Sequence, residues 1–66
     1  MYIVLNGEEI ETGEGLSIAE LLQQLGHDHQ ALAVAVNGEF LPKQRWEEHL
    51  LQAGESVELI APMQGG

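Results

Sequence analysis

The residues best suited to chemistry in this 66-residue chain are its last two, Gly65 and Gly66. They follow a strand-like stretch, residues 57–61, and a short Pro62-Met63-Gln64 spacer. Two residues without side chains leave the backbone thin and loose, at an entropic cost, and deny the tail any packing of its own. One group stays exposed at such an end, the α-carboxylate of Gly66. A carboxylate on so thin a segment can enter a narrow enzyme cleft where a bulkier residue would clash. The competing explanation is a frayed end, common at the termini of domains. The expectation is a working terminus, with the rest of the chain as its handle.

Other candidates carry less. His27-Asp28-His29 could chelate weakly, but zinc sites need four protein ligands, or three plus water. His49 is distant in sequence, so a solvated loop is expected and no metal. The chain lacks the glycine-rich patterns that cradle phosphates. Ser17 is better explained as a helix cap than as a nucleophile. Glu8, Glu9, Glu11 and Glu14 read as a solvated face, because a catalytic carboxylate pair needs burial or special neighbours to separate its pKa values. Lys43 and Arg45 stand beside Trp46, either as a small cation–π patch or simply as the chain's only two cations on a surface loop.

Composition limits what this terminus can serve. A single domain of this length buries only about 60% of its unfolded surface, and such a core supplies about 3–5 kcal/mol of net stability. Little room remains for an enclosed active site, which favours a carrier, adaptor or subunit over a self-sufficient enzyme. Hydrophobic residues make up 44% of the chain, enough for a folded core. No apolar run approaches the ~20 residues that span a bilayer, and with no basic n-region followed by an apolar h-region no secretory signal is expected. The absence of cysteine excludes disulfides, a cysteine nucleophile and a side-chain persulfide. It is compatible with the cytoplasm, where the protein is expected to work. The formal charge of −9, from 11 acidic residues against two basic ones, repels nucleic-acid phosphates. It suits partners with basic surfaces, although solubility alone would also account for it.

The elements that must position the tail are legible from pattern. Residues 1–5 are apolar, Asn6-Gly7 is a strong hairpin signal, and residues 8–12 alternate as the return strand. Residues 17–25 form the one convincing helix. Ser17 is its N-cap and Glu20, three residues on, completes a capping box. Ile18, Leu21, Leu22 and Leu25 make one apolar stripe, and Gly26 suits the position after the C-cap. Residues 32–36 read as a covered strand, Asn37-Gly38 as a second hairpin turn, residues 39–41 as its return, and Pro42 as its end. Residues 46–51 allow one or two helical turns with Trp46, Leu50 and Leu51 turned inward. Residues 56–61 form the last strand, with Val57, Leu59 and Ala61 on one face and Ile60 on the other. The first and last strands are both apolar, so both are expected near the sheet centre, parallel to each other. The order predicts an α+β fold, a β-grasp roll in which a mixed sheet holds one helix. Residues 1–61 would be the domain and residues 62–66 a flexible Gly-Gly tail.

Five segments share a resemblance. Leu16-Ser17-Ile18-Ala19-Glu20-Leu21-Leu22, Leu32-Ala33-Val34-Ala35-Val36-Asn37-Gly38, Pro42-Lys43-Gln44-Arg45-Trp46, Gly54-Glu55-Ser56-Val57 and Gly65-Gly66 resemble the ThiS family, the sulfur carriers of bacterial thiamine biosynthesis. They occur in order, with near-identical spacing, along the whole chain. The Pro-basic-x-x-Trp element is the most distinctive. The family has the ubiquitin-like β-grasp fold reached above from pattern.

The resemblance implies the following chemistry. A ThiF-like adenylyltransferase would couple Gly66 to AMP, using ATP and Mg²⁺ held by that enzyme and not by this chain. Sulfur from a cysteine desulfurase route would displace AMP and leave a thiocarboxylate on Gly66, with Gly65 threading the tail. A ThiG-like thiazole synthase would accept the sulfur. The chain would then be a protein co-substrate and not an enzyme. The related alternative is a MoaD-like small subunit of molybdopterin synthase, with the same fold and tail. Others are a ubiquitin-like modifier joined to lysines through Gly66, and a structural β-grasp module with an incidental Gly-Gly. If Ile60 points away from the helix and Phe40 lies nearby on a neighbouring strand, the pair would make a docking surface for the partner enzymes. Otherwise both are covered by the domain itself.

Overall fold

The computed structural model describes residues 1–26 and 33–60. Its elements are β1 (Tyr2–Leu5), β2 (Glu8–Glu11), α1 (Ile18–Gln24), β3 (Ala33–Val36), β4 (Glu39–Leu41), a 3-10 turn (Lys43–Arg45) and β5 (Ser56–Ile60). The five strands form one sheet in the order β2-β1-β5-β3-β4. β1 and β5 run parallel, while the other three pairings are antiparallel. This is the mixed sheet with one helix expected from the pattern, and the two apolar end strands do meet near its middle.

Both hairpins turn on Asn-Gly. Asn6 and Asn37 have φ of 49° and 51°, and Gly7 and Gly38 each have φ of 85°. Two consecutive positive φ values match the right-handed twist of the flanking strands, and asparagine and glycine reach them at least cost.

The start of α1 is satisfied donor by donor. Ser17 Oγ accepts from Glu20 N–H at 3.1 Å, and Glu20 Oε1 accepts from Ser17 N–H at 2.9 Å. Ile18 N–H donates to the His49 carbonyl and Ala19 N–H to the Trp46 carbonyl, each at 3.0 Å. The first turn of a helix leaves such N–H groups without intrahelical partners. Here the segment after the 3-10 turn supplies the missing acceptors and ties the helix to the rest of the domain. Gly26, at φ 81°, follows the C-cap Leu25.

The core lies between α1 and one face of the sheet. Ile3, Val34, Val36 and Val57 come from the strands, Ile18, Leu21 and Leu22 from the helix, and Trp46 and Leu51 from the connecting segment. Two expectations need correction. Leu25 does not complete the buried stripe; as the C-cap it lies at the frayed edge and is exposed. Residues 46–51 are not a helix with Leu50 inward. The regular turn comes earlier, at Lys43–Arg45, and by residue 50 the chain is extended and bridged to Ser17. Extended backbone alternates its side chains, so Leu51 enters the core while Leu50 faces out.

Candidate functional site

The sheet has one face against the helix and one open. Strand alternation assigns the residues of each. Val57 and Leu59 face the core side, while Glu58 and Ile60 face the open side. Ile60 is 60% exposed and Phe40 69% exposed, so neither is covered by the rest of the domain. The register shows how they relate. Phe40 stands opposite Ala35, which stands opposite Glu58, and Ile60 stands opposite Ala33. Ala33 and Ala35 are two residues apart on β3, so all five side chains belong to one face. Phe40 and Ile60 are not on adjacent strands, as the sequence suggested. β3 runs between them, and two strand spacings with a two-residue offset along β3 set them roughly 12 Å apart. The two alanines keep the intervening ground low, leaving a shallow apolar saddle with Glu58 at its edge.

Acidic residues extend this face away from the saddle. Glu9 and Glu11 on β2 pair with Val4 and Tyr2 on β1. By the β1–β5 register these share the face of Ser56 and Glu58. Sequence patterning recognised the glutamates as solvated but missed that Glu58 and exposed Tyr2 belong to the same surface. The missing information was strand order, which local alternation does not contain.

The other candidates separate. Gly65 and Gly66 lie outside the described residues, as do His27, Asp28 and His29. His49 is engaged locally: its Nε2 is 3.1 Å from Glu55 Oε2, and Glu55 Oε1 accepts from Gln52 N–H at 3.0 Å. That arrangement shapes the turn entering β5. Among the described residues no cluster of three or more metal-ligating side chains occurs, and no helix is long and apolar enough to cross a membrane. Lys43 lines an open groove with Ala19, Leu22 and Trp46, whereas Arg45 lines another with Phe40, Pro42 and His49. The two cations therefore serve different surfaces. Trp46 is buried, with its indole Nε1–H donating to the Leu41 carbonyl at 3.0 Å. The Pro-basic-x-x-Trp element thus anchors the connection between β4 and the helix start.

Known proteins with this arrangement are consistent among themselves. The family model described as "ThiS family" matches residues 2–66. The sulfur carrier protein ThiS of Escherichia coli (strain K12) is 30% identical over 66 residues, covering 100% of both chains. A thiazole synthase of Paramagnetospirillum magneticum is 33% identical over 66 residues, which are all of this chain but only 20% of that protein. The crystal structure of the thiamine biosynthesis protein ThiS from Geobacter metallireducens superimposes with a TM-score of 0.83 at 31% identity, covering 100% of each chain. A match to the family model along nearly the whole sequence, joined to the same sheet and helix, establishes that the chain belongs to the ThiS family, the sulfur carriers of thiamine biosynthesis.

Proposed function

We propose that this chain carries sulfur on the α-carboxylate of Gly66, as a thiocarboxylate destined for the thiazole ring of thiamine. The observation that carries the proposal is the position of β5. This strand, inside the sheet, ends at Ile60 on the exposed saddle, and the six residues beyond it finish in Gly65-Gly66. A docking surface and a thin reactive tail are thereby joined by one rigid strand.

The chemistry follows from the carboxylate. It is a poor electrophile, being anionic and having no good leaving group. A partner adenylyltransferase of the ThiF kind, using ATP and Mg²⁺, transfers AMP to Gly66 and releases pyrophosphate. A persulfide sulfur, from a cysteine desulfurase route, then attacks the acyl carbon and AMP departs. Cleavage of the remaining S–S bond by a thiol leaves the thiocarboxylate. Its sulfur is soft and nucleophilic, fit to attack an electrophilic precursor in the synthase. Every catalytic group in this sequence belongs to a partner, so the chain is a co-substrate and not an enzyme. We place it in the cytoplasm, to which its lack of cysteine is suited.

A thiazole synthase containing a segment like this chain supports a ThiG-like acceptor and thiazole formation over the molybdopterin pathway. Phe40 and Ile60 are the proposed contact residues for both enzymes. The net charge of −9 and the glutamates on the open face favour basic surfaces on these partners.

The test is pyrophosphate exchange with a ThiF-like enzyme, ATP and Mg²⁺, with and without Gly65-Gly66. Exchange is expected only for the intact chain. Adding a sulfur donor should raise the intact mass by about 16 Da, the replacement of oxygen by sulfur. Exchange that persists after the deletion rules out Gly66 as the acceptor of AMP. High-mass isopeptide ladders in place of the sulfur increment would mark a protein modifier.

A further inference from the structure

β5 is held on both edges by asparagine side chains, and the two ends differ in what they control. On the β1 edge, Val4 N–H donates to the Glu55 carbonyl at 2.8 Å and Asn6 N–H to the Val57 carbonyl at 2.9 Å. A parallel ladder continuing in this way would offer Leu59 N–H the backbone carbonyl of residue 6. The chain turns at that point, with Asn6 at φ 49°. Leu59 N–H instead donates to Asn6 Oδ1 at 2.8 Å. The side-chain carbonyl occupies the role of the backbone carbonyl and adds one rung beyond the end of β1.

The β3 edge repeats the device at the other end of the strand. The register that pairs Val36 with Val57 sets residue 37 opposite residue 56. Asn37 N–H donates to the Ser56 carbonyl at 2.7 Å, and Ser56 N–H donates to Asn37 Oδ1 at 3.0 Å. The left-handed turn, with φ 51°, again accompanies use of the side-chain oxygen in the ladder. Hairpin geometry alone explains why asparagine is tolerated at both turns. It does not explain why Asn6 reaches a strand 53 residues away.

We propose that Asn6 is a positioning residue for sulfur transfer, supplying the last rung on the β1 edge of β5 and so fixing the root from which residues 61–66 depart. This rests on Gly66 being the working group. Without Oδ1, backbone hydrogen bonds hold the β1 edge of β5 only as far as Val57, although Ile60 belongs to the proposed docking saddle. The β3 pairings of Glu58, Leu59 and Ile60 remain, so the loss loosens only the β1 side of the root; re-ordering it each time the carrier docks, at the level of one residue, costs roughly a tenfold factor in affinity. The cost falls on association more than on the chemical step. Asn37 meets Ser56 at the start of β5, the opposite end of the strand from Ile60.

The experiment compares Asn6→Gly with Asn37→Gly in the full chain. Glycine adopts the positive φ without strain, so each variant keeps its turn and loses only a rung. Both are expected to melt slightly and similarly below the parent. In steady-state adenylylation by a ThiF-like enzyme, Asn6→Gly should raise the KM for the carrier roughly tenfold with kcat nearly unchanged. Asn37→Gly should change KM less than twofold, and Asn6→Asp, which retains an acceptor oxygen, should restore most of the loss. Amide hydrogen exchange should accelerate at Leu59 in Asn6→Gly and not in Asn37→Gly. Equal KM changes in the two glycine variants, or unchanged exchange at Leu59, overturn the proposal. A parent chain that fails to be adenylylated overturns the Gly66 assignment and with it the role in transfer, whereas exchange at Leu59 still decides the rung itself.

Discussion

The backbone carbonyl of Trp46 accepts the N–H of Ala19 at 3.0 Å, so one tryptophan closes the first turn of α1 with its backbone and fills the core with its ring. Its Nε1–H meanwhile satisfies the Leu41 carbonyl. Trp46→Phe should cost about 1–2 kcal/mol, from the lost hydrogen bond and a small void. Trp46→Ala should cost about 3–5 kcal/mol, comparable with the ~3–5 kcal/mol available to a domain of this size. Chemical denaturation should therefore find roughly half of the alanine variant already unfolded at room temperature without denaturant. A midpoint close to that of the parent would show that the ring is not part of the core.

Gly65→Ala and Gly66→Ala test the need for a thin tail. A methyl group narrows the backbone's choices and widens its cross-section. Adenylylation and sulfur transfer should fall at least tenfold while the melting temperature stays within about 1 °C, because surface substitutions away from packed features are nearly neutral. Parallel losses of stability and transfer would mean that these residues pack against the domain.

Phe40→Ala and Ile60→Ala address the saddle. Both side chains are exposed in the free protein, so truncation should leave folding nearly intact. Binding to the activating enzyme should weaken roughly tenfold or more for either variant, as for a central apolar contact. Association should also slow as salt rises from 0.05 to about 0.5 M, because screening shortens the reach of the acidic face. Stopped-flow mixing measures both effects. Unchanged affinity in both variants would move the docking surface elsewhere.

Much of the fold was legible because its signals are local. Ser17 and Glu20 form the capping box at the expected spacing, and the two Asn-Gly pairs turn where they should. The parallel pairing of the end strands could be inferred from their apolar content alone. Other features depended on distant partners. Leu50 and Leu51 are equally apolar, and only the bridge to Ser17 determines which one faces in. Phe40 and Ile60 were legible only as a pair that was either exposed or covered by the domain; the structure exposes both, and β3 between them was invisible before the strand order was known. The side-chain work of Asn6 and Asn37 was hidden for the same reason. A turn signal describes four consecutive residues, whereas Leu59 is contributed from the far end of the chain.

The parallel pairing of β1 with β5 has a consequence for how the molecule is made. β1 and β5 stand at opposite ends of the order of elements, so the inner pair of the sheet cannot close until every element between them has been made. Until then β1 and β3 each lack the neighbour that divides them, and long-range closure of this kind slows folding. A product terminated before residue 56 would lack β5 and leave two unpaired strand edges, a target for proteolysis and aggregation. Synthesis therefore joins two events: the segment that completes the sheet is followed directly by the residues proposed to receive sulfur, so a chain that carries those residues already holds every strand of the sheet.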